Sequence, residues 1–545
     1  MASLAAAPIA ALLALAARPT GELWAHLLAN VLPEAARTTL LLGLGVGLAT
    51  AATGVGVAWL VAMCRFPGVR VLEWALLLPL AIPTYIAAYA YVELLDSLGP
   101  VQNGLRALLG WGSGTHVLPP IRSLGGAVFV LSAVLYPYVY LSTRASFLLQ
   151  SAAALDVSRA LGAGPWRAFL RVALPLSRPA IVAGVALALM EMLNDIGAVQ
   201  HLGVTTLTLS VYTTWLHRGS LAGAAQIACV MLFLVVALLA AERFSRRRRR
   251  HHAGAARHRP PSPRRLSGWR VLAAFAACAL PVLIGFVAPA TVLVADASRR
   301  WRAVLDADFL DAIWHSMALA VAAAVVTLLG ALVIAYGQRL SRGFLAPAAA
   351  RIASSGYAVP GTVLAIGILF PLAGLDNMVD AWMRESFGVA TGLLLTGSGA
   401  ALVYAYAVRF MAVGYGAIDA GLARISPHLD MAARALGRTA GGVLREIHAP
   451  LLRPALASAA LLVFVDSMKE LPATILLRPF DFETLSTVVY EAASREAFAD
   501  AAPAALAITL AGLAPVILLS RSARAPIRFG PDRRLREPSP ESEEE

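Results

Sequence analysis

The sequence predicts an all-α integral membrane protein, with about twelve transmembrane helices in two parallel six-helix repeats. Three observations carry that prediction. Hydrophobic residues make up 59% of the 545 residues and charged residues only 14%, with a mean hydropathy of +0.71, too apolar for a soluble globular chain. Apolar runs of the ~20 residues needed to cross ~30 Å of hydrocarbon recur throughout. A polar segment also occurs twice in one form: Arg159-Ala160-Leu161-Gly162, Pro175-Leu176 and Arg178-Pro179-Ala180, then Arg434-Ala435-Leu436-Gly437, Pro450-Leu451 and Arg453-Pro454-Ala455.

Taken in order, the apolar runs fall at 36–63, 71–96, 123–146, 178–199, 222–241, 270–294, 315–339, 352–374, 390–417, 453–472 and 502–520. Each is read as one span. Residues 2–17 are alanine-rich and lack the basic segment that opens a secretory signal, so they are read as a twelfth helix, with a cleaved signal peptide as the competing reading. Between the halves lies an arginine-rich linker. The domains are therefore a first transmembrane half, 1–241, a linker, 242–268, a second half, 269–520, and a polar tail, 521–545, too charged to pack. Self-similarity extends beyond the loops: Pro83 matches Pro360, and Thr206-Leu207 with Tyr212 matches Thr484-Leu485 with Tyr490. Six spans per half is an even number, so both halves start on the same side and the repeat is parallel.

The net charge of +13 comes from arginines placed in particular segments: Arg246 to Arg250, Arg257, Arg259, Arg264 and Arg265 in the linker, and Arg521, Arg524 and Arg528 in the tail. With the two repeated loops also basic, the positive-inside rule puts loops 147–177 and 420–452 in the cytoplasm. Topology and contact with anionic lipid account for this charge, and no nucleic-acid partner is expected. Segment 475–501 carries Asp481, Glu483, Glu491, Glu496 and Asp500 against Arg478 and Arg495, which fits the opposite face. Cys64, Cys229 and Cys278 have no ligand-like spacing, so neither a disulfide framework nor a metal site is expected.

Residues 154–172 and 429–447 read as short helices with alanine and leucine on one face and arginine on the other. Gly162 and Gly437 interrupt them, permitting a turn or a close backbone approach, and Pro175 and Pro450 suit the first turn of the next membrane helix. Each segment is a bent helical foot. A second constellation lies in the span that follows each foot, where Glu191, Asn194 and Asp195 align with Asp466, Lys469 and Glu470. Each carboxylate pair is spaced i, i+4 and is read as lying on one helix face, with Glu191 about 24 Å along its helix from Pro175 at ~1.5 Å per residue. Charges at this depth are costly unless paired or hydrated. Two readings fit: an ion-pair network in which Lys469 neutralises Asp466 or Glu470, and a gate or cation-attracting vestibule. Gly197 and Pro472, breaking the two helices at matching positions, favour the second.

The feet resemble the EAA loop of ABC importer permeases, whose consensus runs Glu-Ala-Ala, three residues, Gly, nine residues, Ile, one residue, Leu-Pro. The first copy offers Asp156-Val157-Ser158, Gly162, Val172 and Leu174-Pro175; the second offers Met431-Ala432-Ala433, Gly437, Ile447 and Ala449-Pro450. The acidic position is kept as Asp156 but becomes Met431, with Asp430 one residue early. The resemblance implies that Asp156, Arg159, Gly162 and Pro175, with Ala432, Ala433, Arg434, Gly437 and Pro450, form two docking loops for two copies of a cytoplasmic ATPase subunit. It further implies a periplasmic substrate-binding protein as partner, residence in the bacterial inner membrane, and use of ATP and Mg by the partners, with no cofactor bound by this chain.

The chain is not expected to be an enzyme. Lys469 is its only lysine and follows Met468, so no Gly-Lys-Ser/Thr phosphate loop can be written. Lys469-Glu470-Leu471-Pro472-Ala473-Thr474, Leu477-Arg478-Pro479-Phe480, Met190-Glu191 and Ile82-Pro83-Thr84-Tyr85 look like the fused, two-half permeases of ferric-iron ABC importers, which implies iron as cargo. Thiamine, polyamine and phosphonate are the alternatives within that class. Outside it stand an ion-coupled secondary transporter using the intramembrane carboxylates and a non-transporting scaffold. Tyr85, Tyr89, Tyr91, Tyr136, Tyr138 and Tyr140 could offer hard donors to ferric iron, but an interfacial aromatic belt is the expected account of them.

Overall fold

The structure is a computed structural model that describes residues 2–112, 117–149, 158, 164–247, 263–302, 306–341 and 343–524. The described residues are all-α apart from one short strand pair. Among the described residues, ten helices are long and apolar enough to cross a membrane, or eleven with one sharply bent pair counted as a span. They recur in the same order in both halves. Glu22–Met63 corresponds to Ala307–Leu340, Leu124–Leu148 to Ala400–Ala423, Trp166–Asn194 to Ala440–Met468, and Leu221–Phe244 to Phe498–Leu518.

The run at 71–96 is not one straight span. Val69–Ala81 and Thr84–Leu109 meet at 91°, because a tight 3-10 turn at Leu78–Ala81 leads into Pro83, which holds φ −56° and ψ 145°. Proline has no N–H to continue a helix and disfavours the helical conformation in the residue before it. The run at 352–374 breaks in the same way, with a 3-10 turn at Ser354–Ala358 and Pro360 at φ −57°, ψ 143° ahead of Gly361–Phe387. The repeated prolines thus mark two inward turns.

The Thr206/Thr484 repeat has a comparable physical reason. Each threonine caps the helix that follows it, accepting from the N–H of Leu209 or Thr487, which satisfies one orphan donor of the first turn. The next residue, Leu207 or Leu485, donates its N–H to a hydroxyl on the long helix of its own half, Thr39 at 3.0 Å or Ser316 at 2.8 Å. Both halves close by the same latch.

The two halves also exchange their first helices. Ala2–Ala16 buries Leu12 and Leu15 and packs across the other half, so tightly that a Cβ on Gly367 would lie 2.1 Å from the Pro8 carbonyl. Trp269–Arg299 reaches back over the first half, where Tyr91 donates to the Ile284 carbonyl at 2.5 Å and a Cβ on Gly285 would lie 2.3 Å from the Ala133 carbonyl. Neither approach leaves room for a side chain. At 15 residues, Ala2–Ala16 is shorter than a full span.

Among the described residues four π-turns occur, at Leu27–Val31, Phe169–Ala173, Leu283–Val287 and Leu444–His448. Each directly precedes a proline-bearing turn, at Pro33, Pro175, Pro289 and Pro450. A widened turn absorbs the clash between the proline ring and the carbonyl four residues back. Pro175 and Pro450 therefore do not start their membrane helices, as the sequence suggested; they sit within continuous helices that already begin near Trp166 and Ala440.

Candidate functional site

A cavity of about 110 Å³ lies where the halves meet. Its wall is built from both proline turns' surroundings, with Pro83 and Tyr85 on one side and Tyr357 on the other, and from the broken ends of the Trp166–Asn194 and Ala440–Met468 helices. Glu191, Asn194, Asp195, Asp466, Lys469 and Glu470 all line it.

The i, i+4 reading of the carboxylate pairs needs correction. The first helix ends at Asn194 and Asp195 is extended, at φ −80° and ψ 117°; the second helix ends at Met468, before Glu470. The chain breaks between the members of each pair, so they share no helix face. This divides the four carboxylates by task. Asp195 accepts from the Ala198 N–H at 2.8 Å, while Glu470 accepts from the Ala473 N–H at 3.1 Å and the Thr474 N–H at 3.2 Å. Both are buried and both stabilise the start of the short helix after the break, as carboxylates at helix N-termini do. Glu191 and Asp466 are only part-buried and remain turned to the cavity.

The ion pairs follow the same division. Lys469 pairs with Asp466 at 3.0 Å, whereas Glu470 pairs with Arg409 at 2.8 Å, with both side chains almost wholly buried. Arg409 also donates to Asn194 Oδ1 at 2.9 Å, and the Gly361 N–H donates to the same oxygen at 2.6 Å. Tyr357 donates to Glu191 Oε1 at 2.7 Å. Every one of these last three bonds crosses between the halves. Sequence reasoning missed Arg409 and the role of Tyr357, although Arg409 is the one charge within the 390–417 run.

The belt reading of the tyrosines is also overturned. Tyr85, Tyr89, Tyr91, Tyr136 and Tyr140 are buried in the protein interior, and Tyr138 lines the cavity, so none of the first five faces a lipid interface.

Of the feet, the second is described throughout. Pro427–Ala435 is a helix capped by Ser426 and closed by Gly437 at φ +80°. The Arg438 N–H donates to the Ala433 carbonyl and the Gly437 N–H to the Arg434 carbonyl, both at 3.0 Å, a Schellman closure. A Cβ on Gly437 would meet nothing within 4 Å. The glycine is there for its backbone conformation and not for a close approach. Asp430 points inward, accepting from Arg339 Nε at 2.8 Å and bonded to His448 Nε2 at 2.6 Å. Met431, Ala432, Arg434 and Leu436 are exposed, and Ala433 is buried. Asp156, Arg159 and Gly162 of the first foot lie outside the described residues.

A two-half bundle of membrane helices around a charged central cavity, with a capped helical foot bonded to it through Asp430 and Arg339, defines a transport protein of the membrane. The family described as binding-protein-dependent transport system inner membrane component matches residues 54–250. The molybdenum transport system permease protein ModB of Escherichia coli is 30% identical over 189 residues, covering 34% of this chain and 80% of that protein. The chain belongs to this family, the permeases of ABC importers. Over 499 residues, 90% of each chain, it is 25% identical to the Fe(3+)-transport system permease protein FbpB 2 of Haemophilus influenzae. A putative 2-aminoethylphosphonate transport system permease protein, PhnU of Salmonella paratyphi A, is 27% identical over 179 residues, 32% of this chain and 60% of that protein.

Proposed function

We propose that this chain carries ferric iron across the bacterial inner membrane, receiving it from a periplasmic binding protein and releasing it to the cytoplasm when two ATPase subunits close beneath it. The observation that carries the cargo assignment is the charge of the cavity: four carboxylates line it against two cations, Arg409 and Lys469, and each cation already holds a carboxylate. An oxyanion such as molybdate or a phosphonate would find no free cation among the described lining residues, whereas a multivalent cation meets an excess of negative oxygen. The whole-length likeness to a Fe(3+)-transport permease points the same way.

In this reading the exposed face of Pro427–Ala435 enters a groove on one ATPase subunit, and the repeated loop around Gly162 enters a second copy. Hydrolysis of ATP with Mg belongs to those partners. Closure would move the feet, and the continuous helices Trp166–Asn194 and Ala440–Met468 would transmit that motion to the carboxylates at their far ends.

Vesicles reconstituted with the chain, its ATPase and its binding protein test the assignment. ATP-dependent accumulation of ferric iron, with little uptake of molybdate, thiamine or aminoethylphosphonate, is expected. Uptake of any of these in place of iron would overturn the cargo, and uptake driven by an ion gradient without ATP would overturn the class.

A further inference from the structure

The linker between the halves returns to the first half at a defined place. Arg264–Arg265 forms a parallel strand pair with Cys64–Arg65, in a register that sets Arg265 directly opposite Arg65, and the Leu266 N–H donates to the Arg65 carbonyl at 3.0 Å. Arg70 and Arg270 open the helices that leave this clamp on either side. All four arginines and Arg264 are exposed. Among the described residues none of the five has an ion-pair partner; nearby Glu73 is taken by Arg144. Like charges directly opposite on paired strands repel. The clamp therefore holds a concentration of positive charge that the described protein does not neutralise.

Beside the clamp opens an apolar crevice of about 420 Å³, lined by Pro67, Gly68, Gly268, Val271, Leu272 and Phe275. Leu272 stands exposed in this lining, and Val71 and Trp269, close to it in the sequence, are exposed as well. Such a surface, cationic where two helices begin and apolar just beyond, matches a molecule with an anionic head and a hydrocarbon tail. An acidic protein surface would satisfy the arginines but not the crevice.

We propose that this clamp is a binding site for one anionic phospholipid of the cytoplasmic leaflet, its phosphate held between Arg65 and Arg265 and an acyl chain in the crevice lined by Val271, Leu272 and Phe275. The inference rests on the cytoplasmic placement of the linker and not on the identity of the cargo. Bound there, the lipid ties the linker to the first half and fixes where the second half enters the membrane.

Native mass spectrometry of the delipidated full-length chain, titrated with phosphatidylglycerol or phosphatidylcholine, tests the site. Wild type is expected to bind the first roughly tenfold more tightly, R65Q/R265Q to lose that preference, and R65K/R265K to retain most of it. R70Q and R270Q lie outside the strand pair, and each is expected to weaken the preference several-fold; they decide the matter if R65Q/R265Q does not fold. Equal binding of the two lipids by wild type, or undiminished preference in the glutamine variants, would overturn the proposal. So would displacement of the lipid by inorganic phosphate, which would mark a site for free anions. Loss of ATPase-subunit capture with lipid preference unchanged would assign the patch to a protein and overturn it as well.

Discussion

Arg409 of the second half donates to Asn194 of the first at 2.9 Å, and from the same guanidinium it reaches Glu470 at 2.8 Å. One buried cation thus joins the halves and neutralises the carboxylate that caps the Thr474–Leu477 turn. Breaking a buried pair from one side leaves an uncompensated charge, at a cost of about 3–5 kcal/mol. R409M should therefore lower the thermal unfolding midpoint of the purified chain markedly. R409M/E470Q should recover most of the loss, because glutamine still accepts from the Ala473 and Thr474 amides. A double variant no more stable than R409M would show that the charge pair is not what Arg409 balances.

Glu191 differs from Glu470 in being held by a neutral partner, the Tyr357 hydroxyl at 2.7 Å. Glutamine keeps an acceptor for that hydroxyl and removes only the charge. E191Q should change stability by less than about 1 kcal/mol and lower uptake of a cationic cargo by roughly tenfold. D466N should cost more, since it also frees Lys469 to repel a cation. Uptake by E191Q at the wild-type rate would remove Glu191 from the path and leave it a structural acceptor.

These two residues show how far the sequence could be read. The membrane spans were legible because hydrocarbon thickness sets their length, and the run of apolar residues records that length directly. The turns at Pro83 and Pro360 were visible as repeated positions but not as bends, since hydropathy carries no direction. Glu191, Asp195, Asp466 and Glu470 were recognisable as costly charges. Their division into two helix caps and two cavity groups depends on where each helix stops, and i, i+4 spacing assumes that it does not. Arg409 stood alone in its run, but its partner Glu470 lies on a different helix end, a contact created only by folding. Tyr85 and Tyr136 were misplaced because an aromatic near the end of an apolar run fits an interface and a crowded core equally well.

Gly437 offers a separate test of the foot. At φ +80° with open space around its Cβ position, substitution meets backbone strain and no collision. G437A should cost about 1–2 kcal/mol of local stability, G437V more, and G437N less, since asparagine tolerates the left-handed region. Transport and ATPase coupling should fall least in G437N and most in G437V, while the membrane bundle remains folded. Equal activity in G437V and wild type would mean that the Schellman closure does not set the foot's working shape.

Asp430 supplies the foot's response to pH. Burial pushes its carboxyl upward, but the hydrogen bonds from Arg339 and His448 outweigh that and hold it below the ordinary value of 3.8. A depressed carboxylate contributes stability that is complete above its unfolded value and is lost as pH falls through the lower folded one. The foot should thus stay anchored throughout the neutral and mildly acidic range and loosen only below about pH 4. Arg339 is also fixed by the Leu422 and Ile425 carbonyls, at 2.7 and 3.1 Å, so the carboxylate ties the foot to the ends of two membrane helices. D430N should remove about 2 kcal/mol of charge-assisted bonding and flatten the acid limb of the unfolding profile. It should also weaken stimulation of the ATPase by the assembled transporter at neutral pH. Superimposable pH profiles for D430N and wild type would show that Asp430 is not the anchor, and would return its carboxylate to the docking face as a contact for the partner subunit.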